Sequence, residues 1–473
     1  MKKYILIILC CLTSFPLWSY NVNMIVEHYS VDQGLPNNTV NCTLKDRDGF
    51  IWFGTWYGLC CFDGVKFKTF NKQEHDSDVP PRKIQRIVED KNGYIWVKTI
   101  DRKLYVFNKV TECFHAVYDD MKNYSENIQV IKLQNTAEGD VLLLTKDKNL
   151  LLTGVDEKGQ VTIKILFDSR DEINKHDYTL KHHVLCETEE YISWIGTDYK
   201  VSAVHKGAEL ASRPADFITS KINSGDKDSF TSFFEDGRKV WVGDRAGIFY
   251  SIDVRTGLVN RYVLSEIKGA ISNLLVTPAG YVYLSVAGQG TYEYDLAERR
   301  LQKINTEMND AMVTHAFIDQ YDKIWFHENE KALIYYDPLN HTAKRFPFTM
   351  FGKITTLYSE DAGERGLFFL SPAGEAWLFD REHAEMVYIN KLKQLSNDRA
   401  NQQFYHLMLD NDGVLWLSSA DEGVYCMNFP KKQFNLLSLS PQSAGQENYT
   451  IGVRALFQSK SGDIWVGTRW RSG

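Results

Sequence analysis

The chain has 473 residues, 54 basic against 61 acidic, and a net charge of −7. With 44% hydrophobic and 24% charged residues the composition is that of a folded protein and not of a disordered one. The acidic balance excludes nonspecific nucleic-acid binding, which needs a basic face, and the 13% aromatic content favours β-structure.

The N-terminus reads as a secretory signal peptide over residues 1–19. Lys2-Lys3 form a short positive region, Ile5 to Leu12 an unbroken apolar run, and Pro16 a break before Leu17-Trp18-Ser19 and a cut at Tyr20. The run is too short for a span of about 20 apolar residues. An uncleaved anchor or a buried strand is the alternative. The mature chain is expected to be exported and soluble in the periplasm. Of eight cysteines, Cys10 and Cys11 leave with the signal; Cys42, Cys60, Cys61, Cys113, Cys186 and Cys426 remain. They show neither a CxxC pair nor zinc-ligand spacing. One or two disulfides are open to them, but their placement inside apolar runs reads better as small buried side chains.

From residue 40 onward the chain repeats. Phe50-Ile51-Trp52-Phe53-Gly54-Thr55 recurs around Trp96, Trp194, Trp241, Trp325, Trp416 and Trp465, and Leu142, Tyr283 and Phe368 occupy the same position in weaker copies. The ten units have a mean spacing near 46 residues. A period of about 40–50 with several short strands per unit is a propeller signature. In the first unit, strands are predicted at Val40–Leu44, Ile51–Thr55, Leu59–Phe62 and Lys66–Phe70. Asp46-Arg47-Asp48-Gly49, Trp56-Tyr57-Gly58 and Asp63-Gly64 turn between them. Four antiparallel strands make one blade. The recurring Trp is predicted to pack between neighbouring blades, and the Gly-Thr after it to meet the steric needs of a tight turn.

The run from Gly34-Leu35-Pro36-Asn37-Asn38-Thr39-Val40 through Asp46-Arg47-Asp48-Gly49 to Phe70 resembles the two-component regulator propeller repeat. The resemblance extends in weaker form from about Glu27 to Thr468. It implies the periplasmic sensor region of a hybrid two-component protein, in which two seven-bladed propellers precede an immunoglobulin-like domain, a membrane helix, a histidine kinase, a receiver and a DNA-binding segment. Such sensors recognise oligosaccharides. On that pattern residues 24–340 are expected to close a seven-bladed propeller, and 341–473 to be the first three repeats of a second, truncated one. The kinase and the membrane anchor would then belong to missing C-terminal parts, and a homodimer would form through the complete sensor.

Catalytic motifs are not found. His327-Glu328 lacks a second His four residues on; neither a G-x-S-x-G elbow nor a phosphate loop appears; Gly288-Gln289-Gly290 lacks a third glycine. No catalytic residue, metal or cofactor is predicted. A ligand is expected at the turns between second and third strands, which share an end with the links between blades. The candidates there are Trp56, Tyr57, Arg102, Tyr199, Arg245, Arg469 and Trp470. Aromatic faces stack on sugars, and Arg and Asp reach hydroxyl or acid groups. Core or rim packing for the aromatics and solvated charge for the arginines are the competing readings. For Arg102 and Arg245, Asp101 and Asp244 stand next to them as internal partners. A secreted propeller lyase or hydrolase is the alternative to a noncatalytic sensor, and a protein-binding scaffold a third reading.

Overall fold

In a computed structural model the protein is nearly all β-strand. The structure describes residues 25–70, 80–122, 129–146, 149–167, 185–187, 190–195, 200–206, 217–221, 230–304, 313–328, 331–351, 358–361, 366–371, 375–391, 404–428, 449–459 and 464–472. The predicted signal peptide and Tyr199 lie outside these residues. No helix among them is long and apolar enough to cross a membrane. The chain forms two units, 1–429 and 430–473.

Among the described residues the first unit shows nine four-stranded antiparallel sheets, the blades of a β-propeller. Blade 1 uses Val40–Lys45, Ile51–Thr55, Gly58–Phe62 and Phe67–Phe70, within a residue of the predicted strands at most boundaries. Blade 2 uses Ile84–Glu89, Ile95–Thr99, Leu104–Asn108 and Cys113–Ala116. Blades 3 to 8 follow with their strands in sequence order, within 130–167, 185–221, 230–263, 271–303, 313–347 and 358–391. Blade 9 takes three strands from Phe404–Leu409, Val414–Ser419 and Val424–Asn428. Its fourth is Ile25–Tyr29, in antiparallel register from Ile25 opposite Asn428 to Tyr29 opposite Val424. The chain's first described strand thus completes its last blade and removes an open edge. Leu35, Val40, Ile51, Phe53, Cys60 and Phe62 of the first repeat pack with Trp416, Val424 and Cys426 across the junction.

The expected boundary at 340/341 falls within blade 7, between its third strand, Ala332–Asp337, and its fourth, Thr342–Pro347. The ten repeats are present, but the grouping is nine blades plus one hairpin, Tyr449–Gln458 paired with Ile464–Ser472. Near-identical repeats specify a blade well and the place of closure poorly. Closure depends on which segment can pair with Val424–Asn428.

Among the described residues, five blades share one recurring arrangement at the turn between their first and second strands. Asp46 Oδ1 accepts the backbone N–H groups of Asp48 and Phe50, and its Oδ2 accepts Trp52 Nε1 at 2.7 Å. Asp90 does the same for Asn92, Tyr94 and Trp96, and Asp410 for Asp412, Val414 and Trp416. Asp236 and Asp319 hold Trp241 and Trp325 likewise. Trp52, Trp96, Trp241, Trp325 and Trp416 are buried as predicted, whereas Trp465 is 66% exposed. Where Leu142 or Tyr283 replaces Trp, the turn residue is Thr136 or Thr277, whose hydroxyl holds only the backbone.

The glycine after this core position is there for space. A Cβ on Gly54 would stand 2.4 Å from Cys42 Sγ and 2.6 Å from Ile84 Cγ2 of the next blade; on Gly243 it would stand 2.4 Å from Ser232 Oγ. Thr55 Oγ1, next in line, donates to Gly58 O and accepts Tyr57 N–H. The five described cysteines are all free thiols, four of them buried in strands.

Gly54→Ala should cost about 1–3 kcal/mol by overpacking, read as a lower midpoint in urea unfolding at unchanged slope. Removing residues 1–29 should expose the Val424–Asn428 edge and promote self-association in light scattering, whereas removing residues 1–24 should not.

Candidate ligand-binding face

The turns between second and third strands are tied by backbone hydrogen bonds to the entry of their own blade and to that of the following one. Trp56 N–H donates to Thr39 O, Lys83 N–H to Trp56 O, Ile100 N–H to Lys83 O, Val130 N–H to Arg102 O, and Lys146 N–H to Gln129 O. Gly423 N–H donates to Asn38 O and closes the series from blade 9 to blade 1. This end of the blades is therefore a belt of linked turns whose side chains are held in order.

Three of the predicted residues meet there. Trp56 is 43% exposed and Tyr57 61%. Trp56 carries Lys83 Nζ 5.3 Å from its ring centre, a cation–π contact. Neither aromatic is used as core. Arg102 is exposed in the next turn, at φ 68°, where its N–H donates to Thr99 O. Lys83 joins the two turns through its backbone N–H and C=O. Arg245 is exposed on blade 5, apart from this group.

Arg469 and Trp470 are not turn residues. They lie in the extended strand Ile464–Ser472, opposite Gly452 and Ile451, in the second unit. The prediction placed them by analogy with blade 1, where the second strand ends at Thr55; here the strand extends to Ser472.

The arginines do not pair with their sequence neighbours. Asp101 is engaged by Thr99 and, at 3.4 Å, by Lys103; against the effect of burial these contacts hold its carboxyl below the usual range. Asp244 Oδ1 accepts Ala246 N–H and Ile248 N–H in its own turn, and burial pushes its carboxyl up. Among the described residues no carboxylate forms an ion pair with Arg102 or Arg245.

At the opposite end, between blades 1 and 2, lies a cleft of about 840 Å³ that sequence reasoning missed. Phe50 and Tyr94, each four residues after a turn aspartate, line it with Trp52, Phe70, Lys66 and Lys68. The repeated offset of the two aromatics was its one signal. Its charges are largely compensated within the fold. Arg47 pairs with Glu89 at 3.2 Å and Lys68 with Glu112. Lys109 Nζ reaches Asp46 at 3.1 Å, Asp48 at 2.6 Å and Glu89 at 2.8 Å. Those three carboxylates have the spacing of a cation site, but an ammonium group already sits among them. Burial opposes the Lys109 charge, yet its three acidic partners outweigh it and raise its pKa.

The same device recurs at other junctions. Lys45 of blade 1 reaches Asp410 of blade 9 at 3.5 Å, and Arg381 of blade 8 reaches Asp319 of blade 7 at 2.5 Å. In each case a cation of the following blade meets the carboxylate that holds a core Trp. One end of the blades thus spends its cations on junctions; in the turn belt Lys103 pairs with Asp101, whereas among the described residues Lys83 and Arg102 form no ion pair.

Residues 34–57 match the family model for the two-component regulator propeller. No curated protein matches the chain in sequence. Among solved structures, it is similar to the extracellular domain of a putative hybrid two-component system from B. thetaiotaomicron, at 15% identity over 92% of this chain and 68% of that one, TM-score 0.38. A second such domain from that organism is 15% identical over 94% and 64%, TM-score 0.33. Virginiamycin B lyase from Staphylococcus aureus is 10% identical over 76% and 97%, TM-score 0.36.

Lys109→Met should destabilise the protein by about 1–3 kcal/mol, between an exposed pair and a buried one. Lys109 also holds the Asp48 carboxyl below its ordinary value of 3.8 by a hydrogen bond and by charge. That part of the stability is present above pH 3.8 and is lost as pH falls through the lower folded value. Urea unfolding of both proteins from pH 7 to pH 3 should show the difference between them shrinking at the acid end.

Proposed function

We propose that this chain is the ligand-sensing propeller region of an exported two-component sensor, and that it takes an oligosaccharide on the belt of turns around Trp56, Tyr57 and Arg102. The carrying observation is that residues 34–57, which match the two-component regulator propeller repeat, are the segment that builds the Trp56-Tyr57 turn. Exposed aromatic rings offer flat apolar faces to the C–H surface of a sugar, and unpaired guanidinium groups offer forked donors to its oxygens. The internally paired charges of the opposite cleft make it the poorer site, because a ligand there would have to displace existing ion pairs.

We read the role as binding without turnover. The groups of the turn belt are aromatic rings and cations, which recognise and orient; neither a paired acid and base nor a nucleophile beside a base is assigned there. Periplasmic location follows from the predicted signal peptide and from the sensor reading.

Calorimetric titration with a panel of neutral and acidic oligosaccharides should give saturable binding to at least one, with no new reducing ends on prolonged incubation. Trp56→Ala should weaken the best ligand about 3- to 10-fold, the loss of one stacking contact worth about 0.5–1.5 kcal/mol, with an unchanged unfolding midpoint. Unchanged affinity in Trp56→Ala and in Arg102→Ala would place the ligand elsewhere, and product formation would make the chain an enzyme.

A further inference from the structure

The position after the core Trp and its neighbour is glycine in blades 1 and 5 and lysine in blade 2. Lys98 is only 7% exposed. It stands directly opposite Arg86 on the first strand of its own blade, in the register that pairs Cys42 with Gly54 in blade 1 and Ser232 with Gly243 in blade 5. Two like charges facing each other across a strand pair oppose folding. In blades 1 and 5 the glycine here faces Ile84 and Ile271 of the next blade; the residue at the same register position in blade 3 is Val130.

Lys98 Nζ donates one hydrogen bond, to Ile131 O of blade 3. An ammonium has three donors, so two are unspent. Arg102 lies in the turn that follows this strand, three residues past its end at Thr99. Burial first, then the charges of Arg102 and Arg86, lower the Lys98 pKa to about 8. The nearest acid in sequence, Asp101, is occupied by Thr99 and Lys103. Among the described residues none of the three cations forms an ion pair with a carboxylate. Burial first, then Arg86, lower the pKa of His406 in blade 9, which favours its neutral ring.

A fold that buries a lysine opposite an arginine, with no internal anion, is suited to receive one from outside. We propose that Arg86, Lys98 and Arg102 form a binding site for a single oxyanion group, a sulfate or a carboxylate, carried by the ligand of the turn belt. An oxyanion set among them would accept from the two spare ammonium hydrogens and from one or both guanidinium forks. The site makes the ligand class acidic and in that respect rests on the function proposed above. The anion site itself stands on the cation geometry alone.

The test uses inorganic sulfate at constant ionic strength, with chloride as the balancing salt. Sulfate should raise the melting temperature of the full chain saturably. Lys98→Met, which keeps the stem and removes the charge, should lose the effect while melting no lower than wild type in chloride. Arg86→Gln, at an exposed residue, should need at least fivefold more sulfate for the same shift. Lys98 should be modified by reductive methylation at pH 8 more slowly in sulfate than in chloride, read by peptide mass spectrometry. An equal sulfate response in wild type and both variants, or unchanged Lys98 modification, overturns the site. Sulfate binding with no preference for acidic over neutral oligosaccharides keeps the anion site and overturns its assignment to the glycan.

Discussion

A buried turn carboxylate that accepts an indole N–H is the interaction on which this architecture depends. One oxygen of Asp46 or Asp90 fixes the backbone between two strands, and the other satisfies the donor of a tryptophan that is almost fully buried. A buried indole needs a partner for its N–H, and a buried carboxylate needs several donors for its charge. The two requirements answer each other. The exceptions follow the same logic. Blade 3 has Leu142 and blade 6 has Tyr283, neither presenting an indole donor, and there the turn residue is the uncharged Thr136 or Thr277. Without the donor, a buried carboxylate would be poorly compensated.

The same carboxylates connect the blades. Lys109, Lys45 and Arg381 each come from the following blade and reach the carboxylate that holds the preceding blade's Trp. A point deep in one blade is thus sensitive to its neighbour. The inner strands add a second set of links. A bulge recurs one residue into the first strand of seven blades, as at Val40/Cys42 and Ile271/Asn273. Polar side chains near it donate to the next blade: Asn41 to Ile84 O, Thr231 to Ile271 O and Asn273 to Val313 O. In blade 2 the corresponding link comes from Lys98, which brings a charge into a place where others use a neutral donor.

This economy of charge separates the two ends of the blades. At the end carrying the first-to-second and third-to-fourth turns, cations are used to hold junctions together. At the end carrying the second-to-third turns, backbone hydrogen bonds join the turns to the blade entries. Trp56, Tyr57 and Arg102 stand exposed there. The division also explains why an aromatic-lined cleft of good size between blades 1 and 2 is the less suitable site.

The sequence by itself determined the blade. Strand alternation, Gly at the turns and the period of the Trp motif are local properties, and the four strands of blade 1 fall where they were read. It also located Trp56 and Tyr57, because two adjacent aromatics in a turn have no core to fill. Tertiary structure decided everything that depends on which repeat meets which. Closure fell to Ile25–Tyr29 pairing with Val424–Asn428, a contact between residues some 400 positions apart that no repeat unit encodes. The strand that carries Arg469 and Trp470 ran on past the turn that the motif suggested. Asp46 looked like a turn former only; its hold on Trp52 and Lys109 appears once the blade and its neighbour are folded. Lys98 drew no reading from the sequence. Its meaning comes from Arg86 across the strand pair and Ile131 in the next blade, neighbours that only the assembled sheets supply.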